Sequence, residues 1–184
     1  MGAIGEANVV LIPKVKIPSR IQDFKPIALC NVVYKLVAKM LANRLKVVLK
    51  EVISSNQRAL LPGRLITDNV VLGFKCLHAL RNHRSGKKGL LALKLDMAKT
   101  YDRVEWGFLR GIMSKLGFED NWIRLIMNCV TSASYSFLIN GEARGKVFPS
   151  KGIRQGCPLL PYLFLLFAEG LSALLLNAEC VGDI

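Results

Sequence analysis

The chain has 184 residues, is 52% hydrophobic, and carries 26 Lys and Arg against 13 Asp and Glu, a net charge of +13. That apolar content supports one domain or two closely packed subdomains and argues against disorder, and the basic excess points to a polyanionic partner. Five scattered cysteines, with no CxxC pair and no short spacing to His78 or His83, do not suit zinc and read as reduced thiols of an intracellular protein. No signal-peptide pattern opens the chain, and no uncharged apolar run reaches the roughly eighteen residues of a membrane span.

Charge is divided unevenly. Residues 1–95 hold 17 basic and 4 acidic side chains, and residues 96–184 hold nine of each, so the whole excess precedes Asp96. The opening NVVLIPKVKIPSRIQDFKPIAL, β-branched and interrupted by three prolines, predicts a short strand and an extended loop. From Leu29 to Val52 apolar residues recur at helical spacing, at Leu29, Val32, Val33, Leu36, Val37, Met40, Leu41, Leu45, Val48, Leu49 and Val52, predicting a helix with these positions inward. Lys35, Lys39, Lys46 and Lys50 fall together on its other face. Taken alone they describe a solvated surface; in the basic half of the chain they are a candidate phosphate track. A second helix is predicted from an N-cap at Thr67 or Asp68, with Val70, Val71, Phe74, Leu77 and Leu80 inward, and NHRSGKKG (82–89) is an exposed turn.

The stretch LLALKLD alternates, which predicts a strand with Leu91, Leu93 and Leu95 on one face and Ala92, Lys94 and Asp96 on the other. Asp102 and Glu105 have capping-box spacing ahead of a helix through Val104, Phe108, Ile112 and Leu116. Asp102 thus has a structural explanation, whereas a carboxylate at the end of a greasy strand, Asp96, has none. Asp120 is placed to cap a helix using Ile123, Ile126, Met127 and Val130. YSFLINGEARGKVF then forms two alternating runs about Asn140-Gly141, a two-residue hairpin signal. Finally, a polar turn from Gly152 to Gly156, of the kind that lets a ligand approach the backbone, precedes an apolar helix. The order of elements is α+β.

Taken together, LIPKVK, FKPIALCNVVYKLVAKMLANRL, PGRLITDNV, KLDMAKTYDRVEW, SYSFLINGEARGKVFPSKGIRQGCPL and PYLFLLFAEGLSALL resemble the reverse transcriptase domain of long-interspersed-element, non-long-terminal-repeat retrotransposons, plant forms above all. The resemblance runs in family order from about Val9 to about Leu176. It implies a right-hand polymerase fold with fingers over residues 1–88 and a partial palm over residues 89–184, truncated before the second catalytic motif. The implied activity is an RNA-directed DNA polymerase that extends a DNA primer on an RNA template from deoxynucleoside triphosphates, using two Mg²⁺ ions and no membrane.

Residue by residue, Asp96 matches one of three carboxylates that hold the two ions, which neutralise the attacking and leaving oxygens. Tyr101 matches an aromatic gate beneath the nucleotide sugar, with core packing as its other reading. Lys14 and Lys25 match triphosphate-gripping positions, Lys25 standing where arginine is usual. Gln155 and Gly156 match the loop against the templating pair and the template strand. Arg64 lies in the second finger motif, with a surface salt bridge as the alternative, and the lysine stripe matches a template and primer surface. Cys157, Leu160 and MAKTYD depart from commoner family residues. The family's aromatic-Ala-Asp-Asp turn is expected after the helix ending near Leu176, but the sequence there reads NAECVGDI. The chain is therefore expected to be inactive by itself; a non-catalytic nucleic-acid-binding remnant or a decayed retroelement product is the alternative.

Overall fold

The computed structural model describes residues 5–55, 57, 58, 60, 61, 63–83, 91–97 and 99–183. The turn expected over 82–89 falls, beyond His83, outside these residues, as does the boundary drawn between 88 and 89. Mixed helices and strands confirm the α+β class.

A four-stranded sheet in the order β2-β1-β3-β4 is the platform for the site. Strand β1 (Glu6–Pro13) pairs antiparallel with β2 (Phe24–Cys30) and parallel with β3 (Ser134–Ile139), which turns back into β4 (Glu142–Val147). β2 lies where an extended loop is predicted. Its Pro26 argues against a strand because it lacks an N–H, but β2 is an edge strand, where a missing donor is tolerated. The β3–β4 turn is as predicted: Asn140 and Gly141 hold φ of 51° and 84°, the left-handed pair that a two-residue hairpin requires.

Helix α1 (Val32–Val52) starts at Asn31, whose side chain accepts from the Val33 N–H. It buries Tyr34, Ala38, Leu41, Ala42, Leu45 and Leu49, so the predicted Leu41, Leu45 and Leu49 are inward, but the buried face is rotated away from Val32, Val33, Leu36 and Met40, which are exposed. The helix is apolar on more than one side, and the alanines at 38 and 42 allow the closest packing, so periodicity alone could not select the buried face. Helix α2 (Ile66–Asn82) is capped by Leu65 rather than by Thr67 or Asp68, and Val70, Val71, Phe74 and Leu77 are exposed instead of inward.

Residues 91–97 form no strand, and Leu91, Leu93 and Leu95 are 89%, 74% and 63% exposed. A strand is stable only with a partner for its backbone groups and a cover for its apolar face; among the described residues this segment has neither. A 3-10 turn at Thr100–Arg103 leads to α3 (Trp106–Lys115). The predicted capping box is absent, because Asp102 lies in the 3-10 turn and Glu105 caps α3 without a side-chain bond, its Oε1 accepting instead from Lys151 at 3.1 Å. Helix α4 (Asp120–Thr131) is capped by Glu119, not Asp120; the Glu119 carboxylate accepts from the Trp122 N–H at 3.1 Å. Its Ile123, Ile126, Met127 and Val130 are buried as predicted.

The core is helical. Leu45 and Leu49 of α1, Leu109 and Met113 of α3, and Ile126 of α4 surround α5 (Leu160–Val181), which contributes the fully buried Leu163, Leu165 and Leu166. α5 passes so close to α3 that a Cβ at Gly170 would stand 2.6 Å from the Ile112 side chain. Among the described residues α5 alone has the length and hydropathy to cross a bilayer; here one face is buried in protein, and Glu169 accepts from the Ser54 hydroxyl at 3.1 Å.

Candidate functional site

A cavity of about 840 Å³ lies against one face of the sheet. Because side chains alternate along a strand, that face is built from Val9 and Leu11 of β1, Phe24, Pro26 and Ala28 of β2, and Tyr135 and Phe137 of β3. The floor is therefore apolar and partly aromatic. Its rim is charged: Lys14, Lys25, Lys99 and Lys151 surround it, with Asp102 the one carboxylate on the lining. Such a mouth over low-dielectric walls concentrates positive potential.

The rim is assembled from the β1–β2 hairpin, the turn that carries Lys99 and Asp102, and one later loop. Lys14 follows the last residue of β1, and its backbone N–H donates to Asp23 at 2.7 Å while its Nζ donates to the Gln22 carbonyl at 3.1 Å. That folds the Lys14–Asp23 loop over the cavity. Asp23 closes the loop by accepting from the backbone N–H groups of Ser19 and Arg20 at 2.9 Å, and these bonds, Arg20 foremost, hold its carboxyl below the usual carboxylate range. Lys25 sits on β2. The third segment is the Gly152–Gly156 loop, which carries Gln155.

That loop is fastened to the 3-10 turn. The Gly152 N–H donates to Val104 and the Ile153 N–H to Tyr101, both at 2.8 Å, and the Trp106 indole N–H donates to the Gly152 carbonyl at 2.7 Å. Gly152 has φ of 87°, and a Cβ there would lie 2.9 Å from the Asp102 carbonyl oxygen, so only glycine allows this approach. Gln155 extends to the rim, where its Nε2 donates to Asp102 Oδ1 at 3.3 Å.

Arg154 runs the other way. It is 4% exposed, with its guanidinium 4.4 Å from the Tyr34 ring centre and 5.5 Å from that of Tyr135, and its Nη2 donates to the Gly5 carbonyl. Burial works against its charge, but neighbouring Tyr34, followed by Cys30 and Tyr135, outweighs that effect and raises its pKa further. Tyr34 is itself pushed up, by burial first and then by Cys157, and its hydroxyl lies 3.2 Å from both the Cys129 carbonyl and the Cys157 sulfur. Burial likewise raises the Cys157 thiol.

The structure thus gathers Lys14, Lys25 and Gln155 on one cavity, with Gly156, at φ of 82°, ending its loop. Tyr101 is not on the lining; its ring is half-buried and meets Phe164 edge-on at 5.0 Å. Asp96 is exposed on the 91–97 segment and also off the lining. Among the described residues Arg64 makes no salt bridge; its Nη1 donates to the carbonyls of Ser54, at 2.6 Å, and Gln57, tying the loop after α1. Lys35, Lys39, Lys46 and Lys50 are exposed on α1, and among the described residues none is in an ion pair. Lys99, Lys151 and Arg154 are additions that sequence reasoning missed. Lys99, between Asp96 and Tyr101, and Lys151, immediately before Gly152, could have been found by proximity to assigned residues.

Among the described residues no three His, Cys, Asp or Glu side chains converge to hold a metal. Asp96, one exposed carboxylate, does not fit a two-ion site by itself, since hard divalent cations require several oxygen ligands in place of their water.

Comparison with known proteins identifies the family of the chain. The family described as reverse transcriptase (RNA-dependent DNA polymerase) matches residues 12–181. The chain is 36% identical over 169 residues to the transposon TX1 uncharacterized 149 kDa protein of Xenopus laevis, covering 92% of this chain and 13% of that protein. It is 26% identical over 166 residues to a retrovirus-related Pol polyprotein from a type-2 retrotransposable element of Drosophila melanogaster, covering 90% of this chain and 15% of that one. A 48-residue stretch is 56% identical to an uncharacterized mitochondrial protein of Arabidopsis thaliana, covering 26% of this chain and 39% of that one. The chain therefore spans only a small part of the first two relatives.

Proposed function

Because the chain belongs to the reverse transcriptase family, we propose that its basic cavity receives the triphosphate of an incoming deoxynucleotide, within an RNA-directed DNA polymerase of a non-long-terminal-repeat retrotransposon. The observation that carries this reading is the convergence of Lys14 and Lys25, from the β1–β2 hairpin, with Gln155, from a loop more than a hundred residues later, on one cavity. Lysines neutralise phosphate oxygens as point charges. The apolar floor gives a sugar and base a water-poor surface. Lys25 in place of arginine keeps the charge but loses the bidentate fork, so this grip depends more on salt than a guanidinium would.

In the same reading, an RNA template and a DNA primer run along the Lys35, Lys39, Lys46 and Lys50 face, with Gly156 at the template strand and Arg64 shaping the adjoining loop. Tyr101, part of the 3-10 turn and packed on Phe164 off the lining, would act on the sugar position only by supporting that turn. The family ordinarily uses a divalent metal; Asp96 would supply one ligand to Mg²⁺ and could hold it only together with further carboxylates. The right-hand arrangement, with fingers before residue 89 and a partial palm after it, and the plant affinity suggested by the Arabidopsis match belong to this proposal too.

The test uses the Trp106 indole, which is bonded to the pocket loop, as a reporter. Titration with dTTP should give saturable quenching, and thymidine, which lacks phosphates, should bind at least about tenfold more weakly. Replacing Lys14 and Lys25 together with glutamine should abolish most of that difference. Equal affinity for dTTP and thymidine, or an unaffected double variant, would overturn the proposal.

A further inference from the structure

We infer that Arg154 is a positioning residue of the pocket: its buried guanidinium, held by Tyr34, Tyr135 and Gly5, fixes the height of the Gly152–Gly156 loop and so places Gln155 on the rim. The inference rests on the nucleotide-pocket reading for its functional meaning, but its structural content stands separately.

Arg154 is the only buried charged side chain among the described residues. It has no ion pair there, and its Nε and Nη1 have no hydrogen-bond partner of normal geometry. A charge so placed is costly unless something specific offsets it. Two aromatic faces and one carbonyl do so in part. An apolar side chain would fill the volume without that cost, so packing alone does not account for an arginine here.

What an arginine adds is reach and direction. Its fork engages three separate elements at once: the residue preceding β1, the start of α1, and β3. The next residue, Gln155, leaves the loop toward the opposite side and meets Asp102 at the cavity. Successive residues thus point inward and outward, and the depth at which the guanidinium seats determines how far Gln155 stands above the floor. The bonds from Gly152 and Ile153 to the 3-10 turn secure the near end of the loop; Arg154 secures the far end.

The experiment combines Arg154→Lys and Arg154→Met in the full chain with Trp122→Phe, leaving Trp106 as the one reporter. If Arg154 sets the loop, Arg154→Lys should shift Trp106 emission to the red while far-ultraviolet circular dichroism stays at the parent value. Arg154→Lys should also weaken dTTP binding about tenfold in the presence of Gln155 and by less than about twofold in a Gln155→Ala background, since residues acting as a unit are not additive. Equal weakening with and without Gln155, or unchanged emission and affinity in Arg154→Lys, would overturn the inference. Should Arg154→Met fail to fold, Arg154→Lys, which retains the charge, decides. Failure of the parent to bind dTTP would remove the pocket reading, while Trp106 emission would still decide whether Arg154 places the loop.

Discussion

At the scale of single residues, environment divides chemically identical groups. Cys76 and Cys180 are exposed, Cys30 and Cys157 are buried, and Cys129 lies between. A brief treatment of the native protein with a maleimide should therefore label Cys76 and Cys180 first and leave Cys157, whose thiol is also raised by burial, among the last. Mass spectrometry of the digested product reads the order directly; early labelling of Cys157 would contradict the packing about Tyr34. Asp23 gives a pH prediction with a definite sign. Its folded pKa is depressed, so the Ser19 and Arg20 bonds stabilise the loop above the unfolded carboxylate value and are lost as pH falls through the folded value. Carboxyl-carbon NMR should show Asp23 titrating below an aspartate in an unstructured peptide, with Ser19 and Arg20 amide shifts following the same midpoint. Lys14, Lys25 and Gln155 were legible because the motifs that carry them resemble a family. Arg154 was not, since an arginine inside a glycine-flanked polar turn has the sequence appearance of a solvated residue, and its burial depends on Tyr34, Tyr135 and Gly5, all distant in sequence.

At the scale of elements, legibility follows how local the determining interaction is. The Asn140-Gly141 hairpin and the buried face of α4 depend on neighbours a few residues apart, and both form as predicted. The 91–97 segment has the right period for a strand, but period does not provide a partner. β2 shows the reverse, because its pairing with β1 overrides a proline. The α1 lysines lie away from the buried face, so replacing Lys35, Lys39, Lys46 and Lys50 with glutamine should leave the helix content intact. It should weaken binding to an RNA–DNA hybrid and flatten the salt dependence, whose log-log slope is about −0.7 to −0.9 per phosphate contacted. Fluorescence anisotropy at several salt concentrations measures both; an unchanged slope would reduce the stripe to a solvated surface. The α3–α5 contact offers a stability test. Gly170→Leu forces a side chain against Ile112 and Phe108, and overpacking of this kind costs about 1–3 kcal/mol, readable by urea denaturation.

At the scale of the molecule, apolar surface is unevenly covered. The outward side of α2 displays Val70, Val71, Leu72 and Phe74, the 91–97 segment displays three leucines, and α5 ends with Leu174, Leu175 and Leu176 exposed. Contiguous exposed apolar side chains favour association, so the purified chain should bind a hydrophobic dye and sediment as more than a monomer at micromolar concentration. A monodisperse monomer with no dye binding would count against these surfaces. Asp96, with no converging carboxylates among the described residues, should likewise give no primer extension above background; template-dependent incorporation abolished by Asp96→Asn would refute that expectation.

The tie from Arg154 to Gly5 also orders events during synthesis. The two residues are 149 positions apart, so at translation rates of about 5–20 residues per second the ribosome needs roughly 7–30 s to supply the second after the first. For that interval β1, β2 and α1 can form their own local contacts, but Tyr34 and the inner side of β1 await both β3 and the guanidinium. Nascent chains halted before Ser134 should accordingly be more protease-sensitive across β1 and α1, and bind more holdase chaperone, than chains halted after Gly156. The latch of the pocket thus arrives only after all four strands of the sheet have been made, and the early part of the protein spends its first seconds with an unclosed side.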